Sequence, residues 1–264
     1  MIAAQHITPP SAFTRIAVLV ERERKTRFSG GKLGYLWAYI TPVVWIGLIV
    51  ALFWFLQRTP PIHVRAEIFI ATGILPYLIF RQTVTALSRT LTANRYMRYL
   101  RPVSNSDIMS ATMLLEAFNM LTTAVLIFGA ITVLFGSALP ASMPGVLFSL
   151  TLAWGIGCGV GRFVAAAGLL SDAFARAVPL ILRPLFWLSG IFYTATDLSQ
   201  ELQNLLWYSP FLHITELVRQ SYFLGYTSPI ASVWYPIAVG AVFFLASVPL
   251  EIFATRRRIM RGRL

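Results

Sequence analysis

Cysteine is all but absent from this chain: Cys158 stands alone. A single thiol excludes an internal disulfide and any metal site built on paired cysteines. It lies among glycines in an apolar run, where cysteine serves as a packing residue. Charge is sparse too: at 12% of residues it is about half the share found in soluble domains. Acids are scarcer than bases, 10 against 22. The histidines His6, His63 and His213 fall in separate segments without ligand spacing. GxSxG and HExxH patterns are missing. Gly30-Gly31-Lys32 offers a Gly-Lys pair, but Thr26 stands where a Walker A sequence needs its first glycine and Leu33 replaces the magnesium-binding hydroxyl. These gaps leave no enzyme motif, and no cofactor is expected on this chain.

Long apolar runs are what the chain does have. Hydrophobic residues make up 57% and the mean hydropathy is +0.69. A basic block holding Arg22, Arg24, Lys25 and Arg27 meets a glycine joint at residues 29–34, and Tyr35 to Leu56 then carries no charge. A helix of that length spans a hydrocarbon core of roughly 30 Å. Lys and Arg are retained on the cytoplasmic side, so the N-terminus is expected inside. The run is too long and too aromatic for a secretory signal peptide. The net charge of +12 is confined to short blocks bordering apolar runs, which points to anionic lipid headgroups and not to nucleic acid.

Further apolar runs at Ala66–Leu87, Ile108–Phe135, Pro144–Leu170, Ala177–Tyr193 and Tyr235–Phe253 bring the expected spans to six. Basic residues concentrate in the N-terminal segment, the 89–107 loop and the 256–264 tail, so both termini are expected in the cytoplasm. Two segments depart from simple hairpins. In Thr8–Phe28, Phe13, Ile16, Ala17 and Val20 recur at helical spacing opposite Arg15, Arg22 and Glu23, as in a helix lying in the interface, with Ser11 as its N-cap. In Thr194–Thr227 the leucines read as two short amphipathic helices broken at Ser209-Pro210, a candidate outer gate. The expected fold is thus all-α and integral to the membrane: an interfacial helix within residues 1–33, a six-span domain over 34–255 with a re-entrant gate pair at 194–230, and a basic tail at 256–264.

Arg81, Glu116, Arg162 and Arg183 fall inside spans, in the half nearer the cytoplasm. Such charges face a bundle interior or wet cavity. Either Glu116 pairs with one arginine while the others snorkel, or the arginines form a basic vestibule for an anionic substrate. Tyr35, Trp37, Tyr39, Trp45 and Trp54, then Phe186, Trp187, Phe192 and Tyr193, read as an interfacial belt or as flat rings along which sugars slide. Gly155, Gly157, Gly159 and Gly161 form two overlapping GxxxG patterns, read as close helix packing. His213 reads as a structural hydrogen-bonder.

The stretch Arg27 to Pro42 (RFSGGKLGYLWAYITP) resembles the start of type-2 ABC exporter permeases, in which an interfacial helix feeds a first span opening Gly-x-x-Trp and followed by Pro. Leu188-Ser189-Gly190-Ile191-Phe192-Tyr193, then Tyr208 to His213 and Glu216-Leu217-Val218-Arg219, resemble that family's fifth span and outer gate, with Ser209-Pro210 where most members have Asn-Pro. The likeness covers essentially the whole chain and runs towards the capsular polysaccharide export permeases of Gram-negative inner membranes. It implies a homodimeric pore with a separate ATPase holding ATP and Mg, a periplasmic co-polymerase and an outer-membrane export channel. It also implies a coupling segment at Asn94, Arg95, Tyr96, Arg98, Tyr99 and Arg101 and a gate at Trp207, Ser209, Pro210, His213, Glu216 and Arg219. The span charges and aromatic stripes themselves give an expected substrate path through Tyr35, Trp37, Tyr39, Arg81, Arg162, Arg183, Phe192 and Tyr193. Export of O-antigen, teichoic acid or small molecules are variants of the same reading. A proton-coupled carrier would need midplane titratable groups beyond Glu116, and a membrane-embedded enzyme has no motif to support it.

Overall fold

The computed structural model describes residues 11–27, 32–62, 64–94, 96 and 103–260, with backbone alone at 27, 32–39 and 258–260. Among the described residues the regular structure is helical throughout, as the apolar runs require. The order is α1 (Ala12–Arg27), α2 (Lys32–Phe55), α3 (Ala66–Ala93), α4 (Asn105–Phe135), α5 (Met143–Gly168), α6 (Ala173–Trp187), α7 (Gln200–Leu206), α8 (Pro210–Tyr222) and α9 (Trp234–Met260). Four of them, α3, α4, α5 and α9, are long and apolar enough to cross a bilayer. The backbone of α2 extends over 24 residues. The outlier is α6: its 15 residues reach about 22 Å at roughly 1.5 Å per residue, short of a full hydrocarbon core.

Local chemistry sets several ends. Ser104 and Asp107 form a reciprocal capping box at the start of α4, each backbone N–H donating to the other's side chain at 3.0 Å. Gly136 closes α4 in the left-handed region, φ 61°. Ser142 accepts from Gly145 N at the start of α5, and Pro210 opens α8 where its missing N–H costs nothing. Ser11 accepts from Thr14 N at 3.2 Å, as expected of the N-cap of α1.

At the centre lies α3, with Phe69, Ile70, Ala71, Ile74, Leu75 and Leu87 shut off from the surface. The glycines of α5 divide between two neighbours. A Cβ at Gly157 or Gly161 would come within 2.8 Å of Thr83 or Leu87 on α3, and one at Gly159 within 2.3 Å of the Gly240 carbonyl on α9. Close packing is therefore what three of these glycines do. Gly155 faces open space.

Two expectations need correction. On α1 the buried stripe is Ile16, Leu19 and Val20, packed with Ile108 and Ala111 of α4, while Phe13 and Val18 point outwards. Arg15 and Arg22 lie on the protein-facing side, because each finds an acceptor there: Asp107 at 3.1 Å and Asn94 at 3.1 Å. The fifth apolar run was placed at Ala177–Tyr193, but the helix starts at Ala173 and stops at Trp187. Beyond it, Gly190 adopts φ 76° and the chain runs as an irregular strap of turn and bend to a single 3₁₀ turn at Ala195–Asp197.

Candidate functional site

A cavity of about 540 Å³ opens between α2, α3 and α4, with Glu23 of α1 at its edge. On α3 the lining positions Leu78, Arg81, Gln82, Thr85, Arg89 and Ala93 recur at helical spacing and form one face. Opposite them stand Glu116, Asn119 and Thr123 of α4, while Thr41, Pro42 and Trp45 of α2 close one wall. Most lining residues carry polar groups, but carbon makes up the larger share of the wall surface, and Pro42, Trp45 and Leu78 are apolar. Among the described lining residues two arginines, Arg81 and Arg89, stand against two acids, Glu23 and Glu116, so their formal charges balance. The excess of positive charge expected from the span arginines is not found in this cavity. Outside it on α1, Glu21 is held below the usual carboxylate range by hydrogen bonds from Arg24 (2.9 Å) and Lys25 (3.3 Å).

The three arginines expected on one path are separated. Arg81 lines the cavity. Arg162 is buried between α5 and α9, donating to Glu251 (3.0 Å), Ser247 (3.0 Å) and Ser106 (3.1 Å) and lying over the Phe244 ring. Sequence reasoning missed Glu251, which stands inside the last apolar run and pairs with a residue 89 positions away. Arg183 is exposed on α6. The side chains of Tyr35, Trp37 and Tyr39 lie outside the described residues.

An aromatic ladder leaves the cavity at Trp45. Its ring centroid lies 6.4 Å from Phe186, which meets Tyr77 edge-on at 5.2 Å and Phe192 at 5.7 Å. Phe192 stacks on Trp187 at 5.2 Å and 26°, and lies 6.5 Å from Phe53. Tyr77 fixes the helix that carries the ladder, its hydroxyl donating to Leu182 O at 2.6 Å. Tyr193 is half-buried beside these rings, its hydroxyl 3.5 Å from Trp187 O.

Beyond the ladder, α7 and α8 break at Trp207–Ser209, as the Ser-Pro pair implies. The two differ: α7 is peripheral, and α8 is buried over most of its surface. Ser209 donates to Leu188 O at 3.3 Å. Ser232 N donates to His213 Nδ1 at 3.2 Å, so the ring hydrogen sits on Nε2 and is donated to Trp207 O at 2.7 Å. His213 is thus a hydrogen-bonding post, flanked by the rings of Trp207 and Tyr235. One turn on, Glu216 and Arg219 form a fully buried ion pair at 3.2 Å, and Tyr226 donates to the second Glu216 oxygen at 2.5 Å. Arg219 also donates to Tyr193 O at 2.6 Å and Ile191 O at 3.2 Å, and lies 4.1 Å from the Phe69 ring centroid.

Of the expected coupling residues, Asn94 caps α3: its side chain donates to Thr90 O at 3.1 Å while its oxygen accepts from Arg22. Tyr96 is half-exposed, with the Arg22 guanidinium 5.3 Å over its ring. Arg95, Arg98, Tyr99 and Arg101 lie outside the described residues. Sequence reasoning missed Arg22, whose contacts with Asn94 and Tyr96 join α1 to this segment. Its place in a run of charges hid that role.

A bundle of long apolar helices enclosing a cavity between α2, α3 and α4 and a buried ion pair on α8 is the architecture of a membrane-embedded permease. The pattern of the ABC-2 type transporter family matches residues 14–223, and the protein belongs to that family. Among characterised relatives it is 28% identical to the polysialic acid transport protein KpsM of Escherichia coli, over 93% of this chain and 94% of the relative. It is 26% identical to the capsule polysaccharide export inner-membrane protein CtrC of Neisseria meningitidis, over 87% of each chain. The O-antigen export system permease RfbA of Klebsiella pneumoniae is 22% identical over 75% of this chain and 76% of its own.

Proposed function

We propose that this protein is the permease subunit of an ATP-driven exporter that carries lipid-linked capsular polysaccharide across a bacterial inner membrane. The observation that carries this reading is near-full-length similarity to capsule and polysialic acid permeases. The cavity and ladder agree with it: polar groups suit sugar hydroxyls at entry, and flat rings give low-friction contact with sugar faces further on. Polysialic acid, named for the E. coli relative, is an acidic polymer. It supports an acidic substrate here more strongly than the charge-balanced cavity does.

The subunit has six crossings, both termini in the cytoplasm and the α7–α8 pair re-entering from the far side. Two copies form the pore, through the apolar outward faces of α2 (Val43, Val44, Leu48, Leu52) and α6 (Leu180, Ile181). A separate ATPase holds ATP and Mg and docks on the 94–101 segment. A periplasmic co-polymerase and an outer-membrane channel continue the route, and anionic lipids hold the basic termini.

Deleting the gene from its host should strand finished capsule polymer in the cytoplasm, with re-expression restoring it to the surface. Loss of surface O-antigen with intact capsule would transfer the assignment to the second reading, favoured by the Klebsiella relative. Normal display of both glycans would overturn both.

A further inference from the structure

We infer that Arg219 is a positioning residue whose role in transport is to hold the Phe192 ring in place on the aromatic ladder. The two carbonyls it binds belong to Ile191 and Tyr193, the residues on either side of Phe192. A planar guanidinium reaching both fixes the peptide units flanking Phe192, and so the direction in which its side chain leaves the backbone. A wholly buried arginine is costly unless its partners are well placed. Here Glu216 balances the charge and Tyr226 satisfies the other carboxylate oxygen, while Arg219 Nε meets no acceptor. The side chain is arranged around the two strap carbonyls and not around saturating its own donors.

The surroundings leave the strap one seat. Thr215, one helical turn before Arg219, donates to Ser189 O at 2.8 Å. Gly190 has φ 76°, and a Cβ there would meet Leu212 at 2.6 Å. A Cβ at Gly73 on α3 would lie 2.9 Å from Ile191 Cα and 3.1 Å from the guanidinium. The strap is thus pressed between α3 and α8, and the ring it presents packs on Trp187, itself largely exposed on α6. Through two carbonyls, α8 sets the outer rungs of the ladder without its arginine touching what passes.

This inference rests on the reading of the aromatic ladder as the sugar path, and a double-mutant cycle in capsule-exporting cells separates the two. Surface polymer per assembled permease–ATPase complex is measured for Phe192→Ala, Arg219→Lys and the pair. Lysine keeps the charge for Glu216 but lacks the fork that spans two carbonyls. Each single variant should lower export several-fold with complex assembly unchanged, and the double should be no worse than the more impaired single. Arg162→Lys, a buried arginine far from the strap, should instead multiply with Phe192→Ala. If Phe192→Ala exports normally, the ladder is not the path and the inference falls with it. If Phe192→Ala is impaired but Arg219→Lys multiplies its loss, the path stands and the positioning role is overturned. Equal non-additivity with Arg162→Lys would also overturn it. Should Arg219→Lys fail to accumulate, Thr215→Val, which releases Ser189 O on the same strap, takes its place under the same criterion.

Discussion

Arg162 and Arg81 show how one residue type acquires two roles from what its helix faces. Arg162 is 7% exposed and closed around Glu251, Ser247 and Ser106. Arg162→Gln would leave Glu251 buried without its cation, a loss of about 3–5 kcal/mol. It should appear as a lower melting temperature in detergent, and adding Glu251→Gln should recover most of it. Arg81 is exposed on the cavity wall. Arg81→Gln should melt within about 1 kcal/mol of wild type yet export less polymer, with Arg81→Lys restoring only part. A stable Arg162→Gln protein, or full export from Arg81→Gln, would contradict these assignments. Arg81, Glu116, Arg162 and Arg183 were visible in the sequence, because an ionised group stands out in an apolar run, whereas Glu251 near the end of the last run escaped notice. Partners were not visible, because pairing across 89 residues depends on how α5 meets α9.

At the scale of elements, legibility followed the length of the apolar pattern. The bodies of α3, α4, α5 and α9 could be read from hydropathy, since that pattern is carried within each stretch of chain. The orientation of α1 could not, since it was decided by Asp107 and Asn94 on other helices. The end of α6 was misjudged for a similar reason: Arg219 and Thr215 of α8 bind the strap carbonyls and hold them out of a helix. The α5 glycine pattern announced close packing without saying which glycine meets which neighbour. A Cβ at Gly159 would press on the Gly240 backbone, which cannot rotate away. Gly159→Ala should therefore force α5 and α9 apart at about 1–3 kcal/mol, whereas Gly155→Ala should melt at or slightly above the wild-type temperature. Equal melting of the two variants would mean that α5 is not seated on α9 as described. At the junction of α1 with the end of α3, Arg22→Gln removes the bond to Asn94 and the contact over Tyr96. It should raise ATP hydrolysed per polymer exported, with membrane insertion intact; an unchanged ratio would make α1 a membrane anchor alone.

For the whole molecule, the polar contacts at the start of α4 decide where the chain ends lie. Asp107 receives Arg15 of α1, and the neighbouring Ser106 accepts from Arg162, which also holds Glu251 near the end of α9. The first and last helices therefore gather at one end of the bundle. At the opposite end Tyr222 donates to Ala138 O, and Ala141 and Ser142 donate to the carbonyls of Tyr222 and Ser221. Four passages through α2 to α5 bring the chain back to the α1 end, yet α9 must start from the other end to finish beside α1. In the proposed six-crossing arrangement the chain between Gly168 and Trp234 crosses once, and α6 is the element assigned to that crossing. On that proposal the shortfall of a helix of about 22 Å is met by the strap pinned to α8, whose Ser189, Ile191 and Thr194 are buried. The proposed orientation, with the α1 end in the cytoplasm, rests on the basic residues concentrated there. A reporter active only in the periplasm should be silent when fused after residue 260 and active when inserted within 136–143 or 227–232. Activity from the tail, or silence at 227–232, would mean that α6 does not cross and that the six-passage arrangement is wrong.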